Sequence, residues 1–299
     1  MMMKFKFYSC FVMLTLIGIY NLAAQENMLN AKTVEELNTV PDDEENLVTE
    51  EPLEYGYVDE RDILWGKSVW EVIDLDERVN LPLYYPIEED GLGNRKSLYY
   101  TLIDAIKSGE IANVYADEYF SETRTLDELE ASFIRRDTLA EGFAQINQGE
   151  QLDEQFVNVT TVDGADVKSY QIRGTWYFDK RQGELRYRLI GIAPVMIDAY
   201  SKSQGNDSEG FPLFWVFYPE ARKVLHNSAV YNGKNTSQPI SFDHLLNSRR
   251  FNAIIIREAN IQGNRSVQDY IADNALMQLL ESQRIKESIR NFELDLWNY

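Results

Sequence analysis

The sequence predicts an α+β fold: a single domain in which a central antiparallel hairpin is flanked by two strand-loop-helix-strand units and followed by a C-terminal helical segment. Residues 169–196 alternate apolar and polar side chains on both sides of a polar turn, which is typical of an antiparallel strand pair. Segments with helical periodicity, each followed by a short apolar run, lie before and after this hairpin. Hydrophobic residues make up 44% of the 299 residues, enough for a sizeable core.

The first 24 residues have the layout of a secretion signal. Lys4 and Lys6 precede an apolar run, Phe7–Tyr20, that is short for a membrane span, and small residues before Gln25 offer a cleavage site. Retention of the segment as a membrane anchor is the alternative. The only cysteine, Cys10, lies inside it, so cleavage leaves a chain without disulfides, thiol catalysis or cysteine metal sites.

Residues 25–58 are predicted to form an acidic flexible linker, and residues 59–299 to form the domain. Glu26–Glu60 holds twelve acidic residues and one lysine, Lys32, for a net charge of −11, with few aromatic residues to offset the entropy of ordering. Loose calcium binding is the alternative, but no EF-hand spacing is present. The whole chain carries a net charge of −20, which argues against nucleic acid and anionic membrane surfaces as partners.

Order is predicted to begin within Arg61–Pro86. Asp62 is placed to cap a helix. The apolar face of that helix is formed by residues at three- and four-residue steps: Trp65, Val69, Val72 and Ile73. Pro82 stops the helix, and residues 83–85 then favour a short strand. Trp65 and Trp70 are about 140° apart on a helix, so we expect Trp65 to enter the core and Trp70 to contact a partner.

Two further helices, Ser97–Lys107 and Thr125–Arg136, are predicted before the hairpin, with a short strand, Ile111–Tyr115, between them. Gly109 follows the first helix at the position where a left-handed residue commonly ends one.

The two hairpin strands, Tyr170–Phe178 and 184–194, should present one apolar face and one basic face. The basic face is formed by three arginines: Arg173, Arg186 and Arg188. Ordinary solvent exposure of these arginines is the favoured interpretation. The alternative is that the basic face receives carboxylates of a partner or of the chain's own linker, with Arg186 and Arg188 as the hypothetical partner contacts.

Phe211–Pro219 contains five aromatic residues in nine. It predicts a strand buried on both faces, and the alternative is an exposed aromatic edge in which Trp215 and Tyr218 contact a partner. Farther along, Ile240–Ser248 is predicted to be helical and Phe251–Arg257 to be a strand.

The C-terminal segment is predicted to be a helix pair or one long helix. Ser266 and Asp269 have the spacing of a capping box. The inward-facing apolar residues form two groups separated by a polar gap: Tyr270, Ile271, Leu276, Leu279 and Leu280, then Ile285, Ile289, Phe292 and Leu296.

An internal similarity suggests two related units. Ser97–Tyr115 and Ile240–Glu258 share the order polar loop, helix, strand, and Tyr-Pro precedes each, at Tyr85-Pro86 and Tyr218-Pro219. We interpret both Tyr-Pro pairs as the ends of aromatic strands. Chance similarity is the alternative, and the interpretation requires that both units have the same topology.

No catalytic motif is present in the sequence. His226 and His244 belong to no paired metal spacing, and neither a G-x-S-x-G nor a P-loop occurs. Carboxylate pairs such as Glu88/Glu89 or Asp74/Asp76 need to face each other across a pocket to act as acid and base. We therefore expect no catalytic residue, cofactor or metal.

Five segments carry a resemblance to a known family: ERDILWGKSVWEVIDLDERVNLPLYYP, RYRLIGIAP, FWVFYPEARKVL, FDHLLNSRRFNAIIIREAN and NFELDLWNY. On these motifs the chain is similar to the GldN/PorN family of gliding-motility and type IX secretion components of Gram-negative bacteria. The resemblance covers roughly Glu60–Tyr299.

The resemblance implies a non-enzymatic periplasmic subunit that self-associates in a ring. Its implied partners are a GldK/PorK-like outer-membrane lipoprotein, which would hold it at the inner face of the outer membrane, and a GldM/PorM-like periplasmic motor domain. It implies no nucleic acid, cofactor or small-molecule substrate. Two alternatives stay open: a periplasmic small-ligand or glycan binder with Phe211–Tyr218 as a stacking platform in an open cleft, and a carboxylate hydrolase.

Overall fold

The fold is taken from a computed structural model, which describes residues 51–92, 95–139, 142, 143, 145, 147, 151, 153–205, 210–233, 240–261, 263–272 and 274–297. The expected secretion signal, residues 1–24, and linker residues 25–50 lie outside this range. The strands are β1 (Ile63–Asp74), β2 (Val114–Tyr115), β3 (Thr123–Arg124), β4 (Ile134–Thr138), β5 (Val157–Thr161), β6 (Ser169–Asp179), β7 (Glu184–Met196), β8 (Phe211–Pro212), β9 (Trp215–Phe217), β10 (Ala229–Val230), β11 (Ile240–Ser241) and β12 (Ile254–Glu258). The helices are α1 (Leu81–Tyr84), α2 (Leu98–Ser108), α3 (Leu126–Phe133), α4 (Ala199–Ser203), α5 (Tyr218–Asn227), α6 (Phe242–Asn247), α7 (Val267–Tyr270) and α8 (Ala275–Trp297).

The main sheet has the strand order β12-β1-β6-β7-β9-β2-β3, and β8 pairs with the end of β7. Every pair in it is antiparallel. The central hairpin predicted from the alternation is confirmed as β6–β7, with Tyr170 opposite Pro194 and Phe178 opposite Leu185. Gly183 takes a φ of 69° in the turn between the strands, a conformation that glycine adopts without strain.

The predicted helix at the start of the domain is wrong, because this segment is β1. It lies between β12 and β6, so Trp70 faces Arg257 on one side and Arg173 on the other. Apolar groups cover both faces of an interior strand, and the sequence therefore lacks the alternation that marks a strand with one exposed face.

The strand predicted at residues 83–85 is also wrong. Leu81–Tyr84 forms the one-turn helix α1, and Pro82 sits in its first turn. Proline fits there because the N–H groups of a first turn have no partner within the helix. Asp62 belongs to a 3-10 turn, Glu60–Asp62, that leads into β1.

One face of the sheet carries the main core. Ile73, Tyr170 and Ile192 from the sheet join Leu102 of α2 and Leu246 of α6 in one buried cluster. The predicted helix α2 is confirmed: the Ser97 hydroxyl accepts a hydrogen bond from the Tyr100 N–H, and Gly109 ends the helix with a φ of 80°.

The C-terminal helices cover the β12 side of the same face. Five buried residues form this cluster: Val69, Ile255, Val267, Ile285 and Ile289. The capping box of Ser266 and Asp269 is confirmed at the start of α7. Near the end of α8, Phe292 stacks on Trp65 with ring centroids 4.6 Å apart. The inward orientation predicted for Leu276, Leu279 and Leu280 is wrong, because these side chains are exposed.

The aromatic segment Phe211–Pro219 is buried, as predicted, over Leu213–Val216. Its strands β8 and β9 are short, and helix α5 begins at Tyr218. The helix predicted to end at Arg136 ends at Phe133, where Ile134 turns extended and starts β4, the partner of β5.

The α+β class is confirmed, but the two proposed repeat units do not match. Tyr85-Pro86 follows the helix α1, whereas Tyr218-Pro219 begins α5. Strand β2 lies between β9 and β3, whereas β12 forms the opposite edge of the sheet. The similarity of the two segments therefore reflects a shared local pattern and not a shared topology.

Candidate functional site

A groove of about 1250 Å³ opens between the segment that follows β1 and the segments on either side of α6. Its described walls come from three stretches of the chain, 78–95, 231–233 and 240–251. The apolar lining residues are Val79, Leu81, Pro82, Tyr85, Pro86, Leu92, Tyr231, Ile240, Leu245 and Phe251. Several of them, including Val79, Tyr85 and Leu92, are half exposed or more. The groove thus presents apolar surface to solvent, as ligand and partner sites do.

The groove carries more positive than negative charge. Four arginines line it, Arg78, Arg95, Arg249 and Arg250, whereas Glu88 is the carboxylate among its described lining residues. Arg95 lies over the ring of Tyr231, 5.7 Å from its centroid. Arg78 and Arg250 are exposed. An acidic ligand is therefore favoured over a basic one.

Arg249 lines both the groove and a second cavity. It pairs with Glu71 at 2.9 Å, and that carboxylate is only 1% exposed. Three aromatic rings surround its guanidinium, those of Trp176, Tyr187 and Phe251. Arg249 has a φ of 50° just after α6, an uncommon conformation for a non-glycine residue. The positive charge of Arg249 compensates the buried negative charge of the Glu71 carboxylate, which would be costly to bury without a partner.

The second cavity, of about 350 Å³, lies between the sheet and α8. Glu71 and Arg249 line one side, and Lys286 of α8 lines the other. Loss of hydration lowers the pKa of the Lys286 ammonium, which donates to the carbonyl oxygen of Ala253. Burial, and then the Glu71 carboxylate, raise the pKa of Tyr187 well above its ordinary value. In this cavity Arg249 and Glu71 thus pair with each other, whereas Lys286 is held by a backbone carbonyl group.

The first two turns of α8 form an apolar tip. We use "α8 tip" for the four apolar side chains Leu276, Met277, Leu279 and Leu280, whose exposed fractions run from 48% for Met277 to 66% for Leu276. Ile285 and Ile289, farther along the same helix, are buried. A helix that is apolar on several sides is normally covered, so the α8 tip is a candidate contact surface.

The end of the expected linker contacts the folded body. Three arginines donate to its backbone carbonyl oxygens: Arg222 to Leu53 at 2.7 Å, Arg188 to Gly56 at 2.9 Å and Arg181 to Tyr57 at 3.4 Å. The ring of Tyr55 lies beside the guanidinium groups of Arg188 and Arg222, and its hydroxyl donates to Asn247 at 2.7 Å. Burial raises the pKa of Tyr55 to about 12.

The structure buries three of the five residues predicted to contact a partner. The expectation that Trp70 lies outside the core is wrong: it is 1% exposed, and Arg173 and Arg257 lie over its indole. Trp215 packs in the same cluster. Tyr218 is also buried. In the described fold these three side chains offer no surface to a partner.

The other two predicted contacts, Arg186 and Arg188, lie on the outer face of the hairpin. Arg186 pairs with Glu184 at 3.0 Å, and both side chains are largely exposed. Arg188 is held by Gly56 and Tyr55 of the linker end. Arg173, predicted on the same face, is instead covered by residues 118–119 and donates to the carbonyl oxygen of Glu118 at 2.6 Å.

Sequence reasoning missed a buried polar cluster beneath Tyr55. The Asp243 carboxylate accepts from Tyr218 at 2.8 Å, from Arg222 at 3.0 Å and from Asn247 at 2.8 Å. Burial, and then Asp243, raise the pKa of Tyr218 well above its ordinary value. Asp243 and Arg222 are 21 residues apart, so no local signal in the sequence connects them.

One of the two alternative functions, the aromatic stacking platform, is contradicted in the described part of the chain. The stacking platform is wrong, because Phe214, Trp215 and Tyr218 are buried and line neither cavity. Among the described residues, no cluster of three or more histidine, cysteine, aspartate or glutamate side chains is placed to hold a metal ion. Of the candidate pairs Asp74/Asp76 and Glu88/Glu89, only Glu88 lines either of the two described cavities.

Within the described ranges, no helix combines the length and the apolar character that crossing a membrane requires.

The comparison with protein families gives one match. Residues 58–298 fit the family model described as "Gliding motility associated protein GldN". No curated protein matches the chain. The family match spans β1 through α8, and with them the groove, the Arg249–Glu71 pair and the α8 tip. This chain therefore belongs to the GldN family of gliding motility associated proteins.

Proposed function

We propose that the chain is a non-enzymatic periplasmic subunit of the gliding-motility and type IX secretion machinery. In this proposal it assembles into a ring with a GldK/PorK-like outer-membrane lipoprotein and contacts a GldM/PorM-like motor domain. The lipoprotein holds it at the inner face of the outer membrane. The family match over residues 58–298 supports a role in this machinery, and the secretion-like layout of the first 24 residues supports export.

The observation that carries the assembly proposal is the α8 tip. Exposed apolar side chains that cluster on one element mark interaction surfaces. The tip carries no acidic or basic side chain before Glu281, and contacts between copies of one chain are more apolar than transient contacts. We therefore assign the α8 tip to the contact with a neighbouring copy in the ring.

Arg186 is the residue we assign to an acidic partner surface. Its pair with Glu184 is solvent-exposed, and such pairs contribute only about 0–1 kcal/mol. A partner carboxylate can replace Glu184 at little cost, and Arg188 beside it keeps the local charge positive.

Affinity purification of the tagged full chain from native envelopes tests the proposal. We expect the lipoprotein and the motor protein to co-purify with it, and we expect native mass measurement to show several copies per assembly. Isolation of a single copy that retains neither protein would overturn the proposed function.

A variant pair separates the role of the α8 tip from general effects of adding charge. Leu276→Glu with Leu280→Glu should abolish assembly of several copies without lowering the thermal unfolding temperature, because both side chains are exposed. The matched control is Leu126→Glu, at an exposed leucine of α3. Assembly that survives the double variant, or is lost equally in the control, would remove the α8 tip from the ring contact.

A further inference from the structure

The α8 tip and the groove lie toward opposite ends of the layer that β12 and α8 form. These two elements run side by side in opposite directions. The Lys286 ammonium donates to the carbonyl oxygen of Ala253. One turn earlier in α8, the Ser282 hydroxyl accepts from the N–H of Ile255 at 2.9 Å. Phe251, a wall of the groove, precedes Ala253, whereas the α8 tip precedes Ser282 and begins about 9 Å away along the helix axis. One chain therefore presents the two surfaces separately.

The α8 tip has the form of a helix that docks in an apolar groove. Leu276, Leu279 and Leu280 stand at positions i, i+3 and i+4, so they share one face of the helix. Amphipathic helices bind apolar grooves through such rows of side chains. The groove volume of about 1250 Å³ exceeds the range of roughly 300–1000 Å³ that is usual for small-molecule pockets. Its size therefore suits a turn of helix better than a small ligand.

The two surfaces also carry opposite charge. Residues 267–283, which include the α8 tip, hold three acidic side chains and no basic one: Asp269, Asp273 and Glu281. Arg284 pairs with Glu281 at 2.6 Å, so residues 267–284 keep a net charge of −2. The groove is positive, since its four arginines outnumber Glu88 among its described lining residues. Opposite charges around an apolar contact speed association and fix its register.

We propose that the α8 tip of one copy binds in the groove of the next copy, which we call the tip–groove contact. The inference rests on the proposed ring assembly and names the second surface of its contact. Because the two surfaces differ, the contact is heterologous, and each added copy presents a free tip or a free groove until a ring closes. Contact of one tip with another tip would stop at two copies.

Disulfide trapping between two differently tagged copies of the full chain tests this contact, because Cys10 is the only cysteine to remove. In a Cys10→Ala background, one copy carries Leu280→Cys and the other carries Val79→Cys, at an exposed valine of the groove. The matched control replaces Val79→Cys by Val159→Cys, at an exposed valine of β5 that lines neither described cavity. Cells that make both copies in place of the unsubstituted chain are mildly oxidised. We expect the mixed disulfide to form at least about tenfold faster in the groove pair, because contact raises the effective concentration of the two thiols.

A change within the tip sharpens the test. Leu279→Glu in the copy with Leu280→Cys should lower the rate of the groove pair to that of the control pair, because a carboxylate is costly to bury against apolar walls. Leu279→Met keeps an apolar side chain of similar size and should hold the rate within about twofold. Thermal unfolding of the purified variants verifies that each stays folded, as expected at an exposed site.

Three results would overturn the tip–groove contact. These are equal rates for the groove pair and the control pair, a groove-pair rate that Leu279→Glu leaves unchanged, and Leu280→Cys homodimers that form faster than the mixed product. If the chain still co-purifies with the lipoprotein and the motor protein, such a result removes this contact alone. Single copies that retain neither protein would instead overturn the proposed function.

Discussion

Trp70 is held between two arginines, one from each neighbouring strand. The guanidinium of Arg257 lies 4.2 Å and that of Arg173 lies 5.3 Å from the ring centroid, so cation–π attraction adds to burial. We predict that Trp70→Ala lowers the free energy of unfolding by about 3–5 kcal/mol, measured by urea denaturation. Leu64→Ala, at an exposed site of the same strand, should change it by no more than about 0.5 kcal/mol. Unchanged stability of the Trp70 variant would contradict its place in the core.

Buried tyrosines limit the stability of the fold at alkaline pH. Burial raises the pKa of Tyr55 from 10.0 to about 12, and it raises those of Tyr187 and Tyr218 further. The folded state therefore favours the neutral phenols, and this stabilisation is complete below pH 10 and is lost as the pH rises from 10 through 12. We expect the free energy of unfolding to fall above pH 10. Phenolate absorbance of all 18 tyrosines near pH 10 in a chain that stays folded would contradict this.

At the scale of elements, the two halves of α8 should respond differently to truncation of their side chains. Ile289 is buried against β1 and β12, whereas Leu280 belongs to the exposed tip. Ile289→Ala should cost about 2–5 kcal/mol of unfolding free energy, and Leu280→Ala no more than about 0.5 kcal/mol. Chemical denaturation of the isolated chain measures both, and equal losses would show that the tip packs against the body.

Local pattern decided which elements could be predicted. The hairpin β6–β7 shows its alternation because one of its faces is largely polar, and α2 shows its periodicity and both of its caps. Strand β1 does not show the alternation of a strand, since both of its faces are covered. Its apolar residues fall by chance at the three- and four-residue steps of a helix. The sequence pattern predicts a helix stop at Pro82, although proline is also common in the first turn of a helix.

Most of the candidate contacts are formed by residues far apart in the chain, and the sequence alone does not show which of these residues lie together. The groove joins residues from three distant stretches, and only the topology brings them together. The alternation places Arg173, Arg186 and Arg188 on one face of the hairpin, but Arg173 is covered by residues 118–119 and Arg188 donates to the backbone of the linker end. Helical periodicity predicts which side chains of α8 share an apolar face. It does not show whether the rest of the domain reaches far enough to cover that face, so it wrongly predicts that the α8 tip is buried.

At the scale of the molecule, residues 51–58 should contribute to stability although they precede the first strand. Tyr55 lies beside Arg188 and Arg222, and three backbone carbonyl groups accept from arginines. We predict that a chain starting at Asp59 unfolds at roughly 1–3 kcal/mol lower free energy than one starting at Glu51. Urea denaturation of both chains measures the difference. Equal stabilities would show that these contacts do not outweigh the entropy of ordering the segment.

The position of β1 has a consequence for how the chain folds after synthesis. β1 is the first strand among the described residues, yet it lies inside the sheet, and its partners come much later. Ser68 meets Thr175 across 107 residues, and Lys67 meets Glu258 across 191. Contacts of such long sequence separation slow folding, because a long loop must close before they form. Until β12 arrives, one edge of β1 stays open, and unpaired edges invite aggregation. A chain synthesised from its N-terminus therefore cannot complete this sheet until β12, Ile254–Glu258, has been made.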